Sequence, residues 1–443
     1  MDRVWAMGTL GCLADLRATA PEPGDRVRHS RRWVGLGPLG LDPSLALAAD
    51  WKLGRFVANL RVIKPFQSLR RVNRHLPEAV LPPDADQPLP ARRPQPSDIG
   101  PESRVLVDGA VDALGLPAVS VIVPTRNRGE WLAYVFQALA RQVYPAGLVE
   151  VLVVDNASVD HTQEIVRRWA EVLPFPVRFL RKANEGPAAS RNYAAARATG
   201  DVLAFTDSDC MPEPYWLLNG VGALKDGVGL VTGPIIPRRT SDTHFFFNAQ
   251  LGAVLHDTGL YRTASLFVPR AVFVAVGGFD EAFALGRGGV LLGGEDTDLG
   301  WRIKRSGQHS VFRPDVVVVH LATPISFRGW LMRPLLSQII PRLLRTIPEL
   351  RKTMLWHGYF HSDGDFFFLV GVGALASALV LNLWPLALLP LGFVWSTRSS
   401  LAGMVKKGRL DKAAAILALL LARRALNVAV LSYASVRYRR LVL

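Results

Sequence analysis

Apolar residues after Leu116 follow two alternating patterns along the chain. Short runs rich in Val and Ile, such as AVSVIVP and VEVLVVDN, have the continuous apolar character of buried strands. Between them lie longer segments with apolar residues at helical spacing, such as GEWLAYVFQALARQ and SVDHTQEIVRRWAEVL. Strands that alternate with helices of this length predict a parallel sheet covered by helices on both faces. We therefore expect a three-layer α/β fold in this part of the chain.

The same patterns divide the chain into five predicted regions. Residues 1–80 are basic and weakly patterned, and we assign them only as an N-terminal accessory region of unknown role. A proline-rich linker at 81–116 follows, and the α/β domain occupies 117–324. Prolines spaced seven residues apart among Arg and Leu predict basic amphipathic interfacial helices over 325–365. Residues 366–443 are predicted to form membrane-associated helices.

The C-terminal region carries two long apolar segments. No charged residue occurs from Phe366 to Ser396, and this run exceeds the roughly 20 residues that cross a bilayer. Prolines interrupt it, so a kinked span and a re-entrant hairpin both fit. The second segment carries Arg423 and Arg424 near its centre, where charge is costly in a bilayer. We therefore expect the second segment to lie at the membrane interface instead of spanning.

Charge favours a membrane and a cytoplasmic orientation. The chain has 52 Lys and Arg against 37 Asp and Glu, a net charge of +15, which favours polyanionic partners. Membrane lipids explain this charge, so we expect no nucleic-acid partner. Basic residues after Ser396 fit the positive-inside rule. The arginines of 325–365 fit an anionic membrane surface, or alternatively a basic groove packed against the α/β domain.

Polar segments follow three of the predicted strands: VPTRN, VVDNAS and FTDSD. In parallel sheets, ligands bind beyond the carboxyl ends of the strands, so these segments should converge on one crevice. In FTDSD, Asp207 and Asp209 flank a single serine. Two close carboxylates repel each other unless a cation lies between them; a solvated turn is the alternative. The only cysteines, Cys12 and Cys210, lack zinc-ligand spacing.

The sequence resembles the family 2 glycosyltransferases, which have the GT-A fold. The resemblance covers about residues 118–320 and rests on elements in the order of the family: VSVIVPTRNR, VEVLVVDNASVDHT, NEGPAASRNYAAARATGDVLAFTDSDC, GGFDEAF and EDTDLGWRI. It implies a GT-A three-layer sandwich with a mainly parallel sheet, here with C-terminal interfacial and transmembrane helices. It also implies Mg²⁺ or Mn²⁺ held by Asp207 and Asp209, because hard oxygen ligands suit these cations. His320 would supply a third ligand, or else be structural.

The resemblance also assigns the substrate-binding residues. The predicted nucleotide contacts are Pro124, Thr125, Arg126, Asp155, Asn156, Arg191 and Asp207. Asp155 would accept a hydrogen bond from the base, whereas Arg191 has a plain surface arginine as its alternative. Asp296 would be the general base, with Glu295 as an alternative base or an acceptor-binding group. Trp301 would stack on the acceptor sugar, unless it is a core residue.

The predicted function is therefore metal-dependent, inverting glycosyl transfer at the cytoplasmic face of the cell membrane. The expected donor is a nucleotide sugar, most commonly a UDP-sugar in this family, and the expected acceptor is polyprenyl-linked or part of an envelope glycan. A catalytically silent membrane scaffold of the same fold is the alternative. A dinucleotide-dependent oxidoreductase is a poor explanation, because no GxGxxG follows the first strand.

Overall fold

The computed structural model describes residues 93–98, 115–225, 227–239, 253–283, 293–322, 325–380 and 413–443, with a few positions between 391 and 397. The predicted region at 1–80 and most of the linker at 81–116 lie outside the described residues. Residues 381–390, within the first apolar segment, also lie outside them.

Among the described residues, ten strands form two sheets. They are β1 Val119–Thr125, β2 Val149–Asn156, β3 Val177–Lys182, β4 Val202–Phe205, β5 Cys210–Pro212, β6 Val228–Thr232, β7 Ile235–Arg239, β8 Leu266–Pro269, β9 His309–Phe312 and β10 Val318–Ala322. The main sheet has the order β3-β2-β1-β4-β8-β6-β9, and the smaller one has the order β5-β10-β7. The main sheet is mainly parallel, because only β8 runs antiparallel to its neighbours.

Eleven helices occur among the described residues. They are α1 Gly129–Leu139, α2 Thr162–Ala170, α3 Pro187–Ala195, α4 Trp216–Gly222, α5 Arg270–Ala275, α6 Glu295–Arg305, α7 Phe327–Met332, α8 Ile339–Thr346, α9 Arg351–Met354, α10 Asp363–Val380 and α11 Ala413–Tyr438. A short 3₁₀ segment, Arg333–Gln338, joins α7 to α8.

Two apolar cores lie on opposite faces of the main sheet. Along β1, Val121 and Val123 pack in the core that contains α1, α2 and α4, while Ile122 packs in the core that contains α3 and α6. Successive side chains of a strand point to opposite faces, so a fully apolar strand must be covered on both sides. The three-layer α/β fold predicted from the sequence is confirmed.

The apolar face of α8 is buried in protein. Ile340, Leu343 and Leu344 are at most 3% exposed and pack with Leu431 of α11 and the C-terminal Val442. These residues form a third apolar core, which joins α8 to the C-terminal helix α11. The alternative expectation for 325–365 is a basic groove packed against the α/β domain, whereas these contacts of α8 are with the C-terminal region. A role of 325–365 at a membrane surface stays a prediction.

One helix of the described residues is long and apolar enough to cross a membrane, over Leu417–Tyr438 of α11. It contains Arg423 and Arg424, which the sequence placed at an interface. Both charges contact protein: Arg424 donates to Asp365 at 3.0 Å, and the guanidinium carbon of Arg423 lies 4.7 Å from the ring centre of Trp330. Such contacts reduce the penalty for charge in an apolar helix.

Candidate active site

The carboxyl ends of three strands meet at one edge of the main sheet. Central β1 pairs with β2 on one side and with β4 on the other. Thr125 lies opposite Asp155 in register, and the Thr206 N–H that follows β4 donates to the Ile122 carbonyl at 3.2 Å. The three polar segments singled out in the sequence therefore line one crevice.

The turns after β1 and β2 hold each other in place. Asn127 and Ala157 have φ values of 50° and 61°, in the left-handed region that residues other than glycine seldom occupy. The Asn127 N–H donates to the Ser158 hydroxyl at 2.8 Å, and the Val159 N–H donates to the Asn127 side chain at 2.8 Å. Strained turns persist where surrounding contacts fix them, commonly at ligand sites.

Several buried polar atoms in this crevice have no hydrogen-bond partner. They include Thr125 Oγ1, Arg126 Nε and Asp155 Oδ2. The other Asp155 oxygen accepts from the Ser158 N–H at 3.0 Å, and Arg181 Nε forms an ion pair with Oδ2 at 3.5 Å but makes no hydrogen bond to it. Because buried polar groups are nearly always paired in proteins, these atoms suit a polar ligand.

Asn156 and Pro124 support this crevice from within the chain. The Asn156 amide donates to the Asn184 side chain at 2.9 Å, and its oxygen accepts from the Glu185 N–H at 3.1 Å. Pro124 lies opposite Val154 within the sheet. Asn156 thus fixes the loop before α3, and direct contact of either residue with a nucleotide stays a prediction.

Arg191 forms a buried bridge between the two acidic segments. Its guanidinium is 0% exposed and donates to Asp207 Oδ1 at 2.7 Å and to Glu295 Oε1 at 3.0 Å. The alternative of a surface arginine is therefore wrong. Burial raises the pKa of Asp207, although the charge of Arg191 opposes that rise. The bridge holds the end of β4 against the start of α6.

Asp209 and His320 lie beside Asp207. Antiparallel pairing of β5 with β10 places His320 opposite Cys210, and His320 Nε2 lies 3.6 Å from Asp209 Oδ1. Arg128 Nη1 donates to the other Asp209 oxygen at 2.9 Å. The structure thus brings together the three residues predicted as metal ligands, Asp207, Asp209 and His320.

The residues present fit a divalent cation. Side-chain ligand atoms of Asp207, Cys210 and His320 lie within 4.8 Å of one another, and Asp207 Oδ2 is buried without a partner. Burial, with the nearby Asp209 and Asp207 charges, raises the pKa of the Cys210 thiol well above its usual value. A protonated sulfur is a poor ligand for a hard cation. The carboxylates and the imidazole are therefore the better ligand set.

Asp296 has the environment of a general base. It is 7% exposed, and its Oδ1 accepts from the Thr297 N–H at 2.7 Å. Burial, followed by the adjacent Glu295 charge, raises its pKa to about 7, against the opposing effect of Arg262 and Arg191. A carboxylate with a pKa near neutral pH can take a proton and later release it.

The preceding glycine sets the start of α6. Gly294 has a φ of 96°, and a Cβ at this position would lie 3.0 Å from Ile339 Cγ1. α8 therefore packs directly on the backbone that precedes Glu295 and Asp296. The third acid of this segment has a local role, because Asp298 accepts from Arg302 Nε at 2.7 Å one turn along α6.

Trp301 lies apart from these acids. Its indole N–H donates to the Gly259 carbonyl at 3.0 Å, and Lys304 Nζ lies 4.5 Å from the ring centre. The part-buried ring packs against two of the cores. These contacts favour the core alternative, and stacking of Trp301 on an acceptor sugar stays a prediction.

Sequence reasoning missed two arginines of the crevice, Arg128 and Arg262. Arg262 lies close enough to Asp296 and Asp207 to interact with both charges, and its buried Nε has no partner. Two residues further along the chain, the Ala264 carbonyl accepts from the Thr206 hydroxyl at 3.0 Å. Arg128 had a signal, its place in VPTRNR. Arg262 had none, because its loop is far from the other segments in sequence.

The fold has a mainly parallel sheet between two layers of helices. Paired carboxylates lie at the strand ends, and a second acidic segment is joined to them. This arrangement is that of the GT-A class of sugar transferases. Comparison with family models matches residues 120–279 to "Glycosyl transferase family 2". The chain is 33% identical to glycosyltransferase AglE of Haloferax volcanii over 216 residues, which are 47% of this chain and 68% of AglE. The chain belongs to the family 2 glycosyltransferases.

With other relatives, the matched region spans a smaller share of the relative's length. The chain is 30% identical to the pre-mycofactocin glycosyltransferase of Mycobacterium tuberculosis over 52% of this chain and 49% of that protein. Among solved structures, a mannosyltransferase of Pyrobaculum calidifontis in complex with GDP-Man and Mn²⁺ superposes with a TM-score of 0.49 at 22% identity, covering 87% of this chain and 97% of that one.

Proposed function

We propose that this glycosyltransferase moves a sugar, with inversion, from a nucleotide diphosphate to a hydroxyl or phosphate oxygen of a lipid-linked or envelope-glycan acceptor. We place the reaction at the cytoplasmic membrane face. The observation that carries the proposal is the buried Arg191 bridge, because it joins the acidic pair that suits a diphosphate-bound cation to the segment that carries Asp296.

The nucleotide is proposed to lie over the ends of β1 and β2. The unpartnered Asp155 Oδ2 would accept from a base N–H, while Thr125 Oγ1 and Arg126 Nε would bond the ribose or base. The diphosphate would extend towards Asp207. Uracil, thymine and guanine all offer a ring N–H that Asp155 could accept, and a UDP-sugar is our preferred donor because it is the commonest choice in this family.

Asp207, Asp209 and His320 would hold Mg²⁺ or Mn²⁺. When bound, the ion would offset the negative charge that the leaving diphosphate develops. Arg262 adds a fixed positive charge near the same acids. Its buried, unpartnered Nε is suited to a phosphate oxygen.

Asp296 would remove the acceptor proton. As the acceptor oxygen forms its bond to the anomeric carbon, the bond from that carbon to the phosphate oxygen breaks, and the nucleoside diphosphate leaves with the electron pair. One displacement inverts the anomeric configuration. Glu295 is less suited to this role because one of its oxygens is bonded to Arg191.

A panel of nucleotide sugars tests this proposal. We expect Mn²⁺-dependent release of one nucleoside diphosphate by the wild type, and loss of release in Asp207→Asn and Asp296→Asn. Glu171→Gln is the matched control, because this acid is exposed on α2 and pairs only with Arg167 among the contacts of the described residues. Absence of release with every donor and acceptor would favour the silent scaffold instead.

A further inference from the structure

Two arginines lie where α11 packs on α7 and the 3₁₀ segment that follows it, a contact made by Arg423 over Trp330 and by the Ser337 hydroxyl, which donates to Asn427 at 2.7 Å. Neither arginine has an acidic partner among the described residues. Arg333 begins the 3₁₀ segment after α7, and Arg423 lies on α11. The charge of Arg333 acts unfavourably on Arg423, and the neighbouring Arg424 adds to the effect. Burial lowers the pKa of Arg333, and no described acid opposes that effect. Such a cluster is unfavourable unless an anion compensates it.

The surrounding contacts leave this charge uncompensated. Arg424 is satisfied, since it donates to Asp365 at 3.0 Å and to Ser362 at 2.9 Å. Among the described residues, Arg423 lies over the face of Trp330, and its buried Nε has no hydrogen-bond partner. Stacking on Trp330 orients the guanidinium, and a planar guanidinium with free N–H groups is a suitable donor to phosphate oxygens.

We propose that Arg333 and Arg423 form a binding site for a phosphate group carried by a lipid. The inference deepens the proposed function and rests on it for one point, that the lipid carries the acceptor. The site is distinct from the crevice of Asp207 and Asp296, and it belongs to the helical layer that covers Gly294 through α8.

Apolar surface on α11, which carries Arg423, and on α10, which packs against α11, favours a lipid over free phosphate. Arg423 lies six residues after Leu417, where the apolar stretch of α11 begins, a separation of about 9 Å along a helix. Exposed apolar side chains continue along α10 and α11, including Val372, Leu375 and Val436. A phosphate at the arginines with acyl chains along these helices matches both the charge and the apolar surface.

The test uses the full chain in neutral detergent, titrated with dihexanoyl phosphatidic acid, inorganic phosphate or dihexanoyl phosphatidylcholine. We expect phosphatidic acid to bind most tightly and to raise Tm by mass action. Arg333→Gln and Arg423→Gln should each weaken this binding by roughly tenfold or more, as expected for loss of a charge-assisted pair. Arg437→Gln, an exposed arginine of the same helix bonded to Tyr433, should leave binding unchanged.

A second readout separates loss of the site from misfolding. Without lipid, Arg333→Gln and Arg423→Gln should have a higher Tm than the wild type, because each removes repulsion between buried cations. A lower Tm in both, or equal weakening by Arg437→Gln, would contradict the site. Equal affinity for inorganic phosphate would contradict the lipid. Mn²⁺-dependent nucleotide binding, measured alongside, should be unchanged in every variant, and its absence in the wild type would count against the proposed function alone.

Discussion

The crevice and the C-terminal helical layer treat buried charge in opposite ways. In the crevice, Arg191 donates to Asp207 and Glu295 and Arg128 donates to Asp209, so that two arginines contact three carboxylates. In the helical layer, Arg424 is paired with Asp365, but no ion pair joins Arg333 or Arg423 to an acid among the described residues. The comparison indicates a cation requirement in the first region and an anion requirement in the second.

The largest effect should follow removal of the proposed base. Asp296→Asn should lower kcat by roughly 10²–10⁴-fold, the range for loss of general base catalysis, while donor affinity changes little. The measurement is transfer kinetics beside calorimetry with donor and Mn²⁺. If Glu295→Gln instead removed activity and Asp296→Asn did not, the roles of the two acids would be exchanged.

Breaking the buried bridge should destabilise the crevice. Arg191→Met leaves Asp207 and Glu295 as uncompensated buried carboxylates, and loss of one member of a buried pair costs about 3–5 kcal/mol. Urea unfolding should show this loss, and Arg167→Met on the exposed face of α2 should not. Arg423→Gln is expected to raise the stability of the lipid-free protein, whereas Arg191→Met is expected to lower it. The two variants together therefore test the difference between the two regions.

Metal affinity should distinguish the carboxylate and imidazole ligands from the thiol. Asp209→Asn and His320→Gln should weaken Mn²⁺ binding by roughly 10–100-fold, the scale expected for altered ligands and their supporting groups. Cys210→Ala should keep near wild-type affinity, because the raised thiol pKa keeps the sulfur protonated. Calorimetric titration with Mn²⁺ in the presence of nucleotide measures this affinity. A strong loss of Mn²⁺ affinity in Cys210→Ala would show that the thiol is a ligand.

The pH dependence should follow the pKa of Asp296, about 7. Below that pH the carboxyl holds its proton and cannot accept one, so kcat should rise by about tenfold per pH unit and then level off. Burial and Glu295 raise this pKa from the ordinary 3.8 to about 7, so folding stability should fall as pH increases from about 4 to 7 and level off above 7. Asp296→Asn should remove that part of the stability change, as urea titrations at several pH values would show.

The strands of the sheet and the acidic segments could be predicted because their signals are local. The apolar runs of β1 and β2 and the FTDSD segment are each readable within ten residues. The rule that ligands bind at the carboxyl ends of parallel strands then brought Thr125, Asp155 and Asp207 together. Likewise, the order of strands and helices was sufficient to predict the three layers.

Pairings between distant residues could not be predicted. The bridging role of Arg191 depends on α3 and α6 contributing to the same core on one face of the sheet. The two acids that Arg191 joins are separated by 88 positions. The sequence of α8 fits a lipid surface and a protein core equally well, and only its contact with Leu431 selects the core. Periodicity defines an apolar face but carries no information about its partner.

The sequence by itself determined the sheet, its covering helices and the acids that end β4 and begin α6, because periodicity and turn chemistry act over a few residues. The tertiary structure alone decided which charges are paired. Burial and distance set the net charge around each site, so that a surplus of carboxylates lies beside Asp207 and a surplus of guanidinium groups lies beside Arg423. Electrostatic energy depends on separation in space, and sequence separation does not fix that quantity.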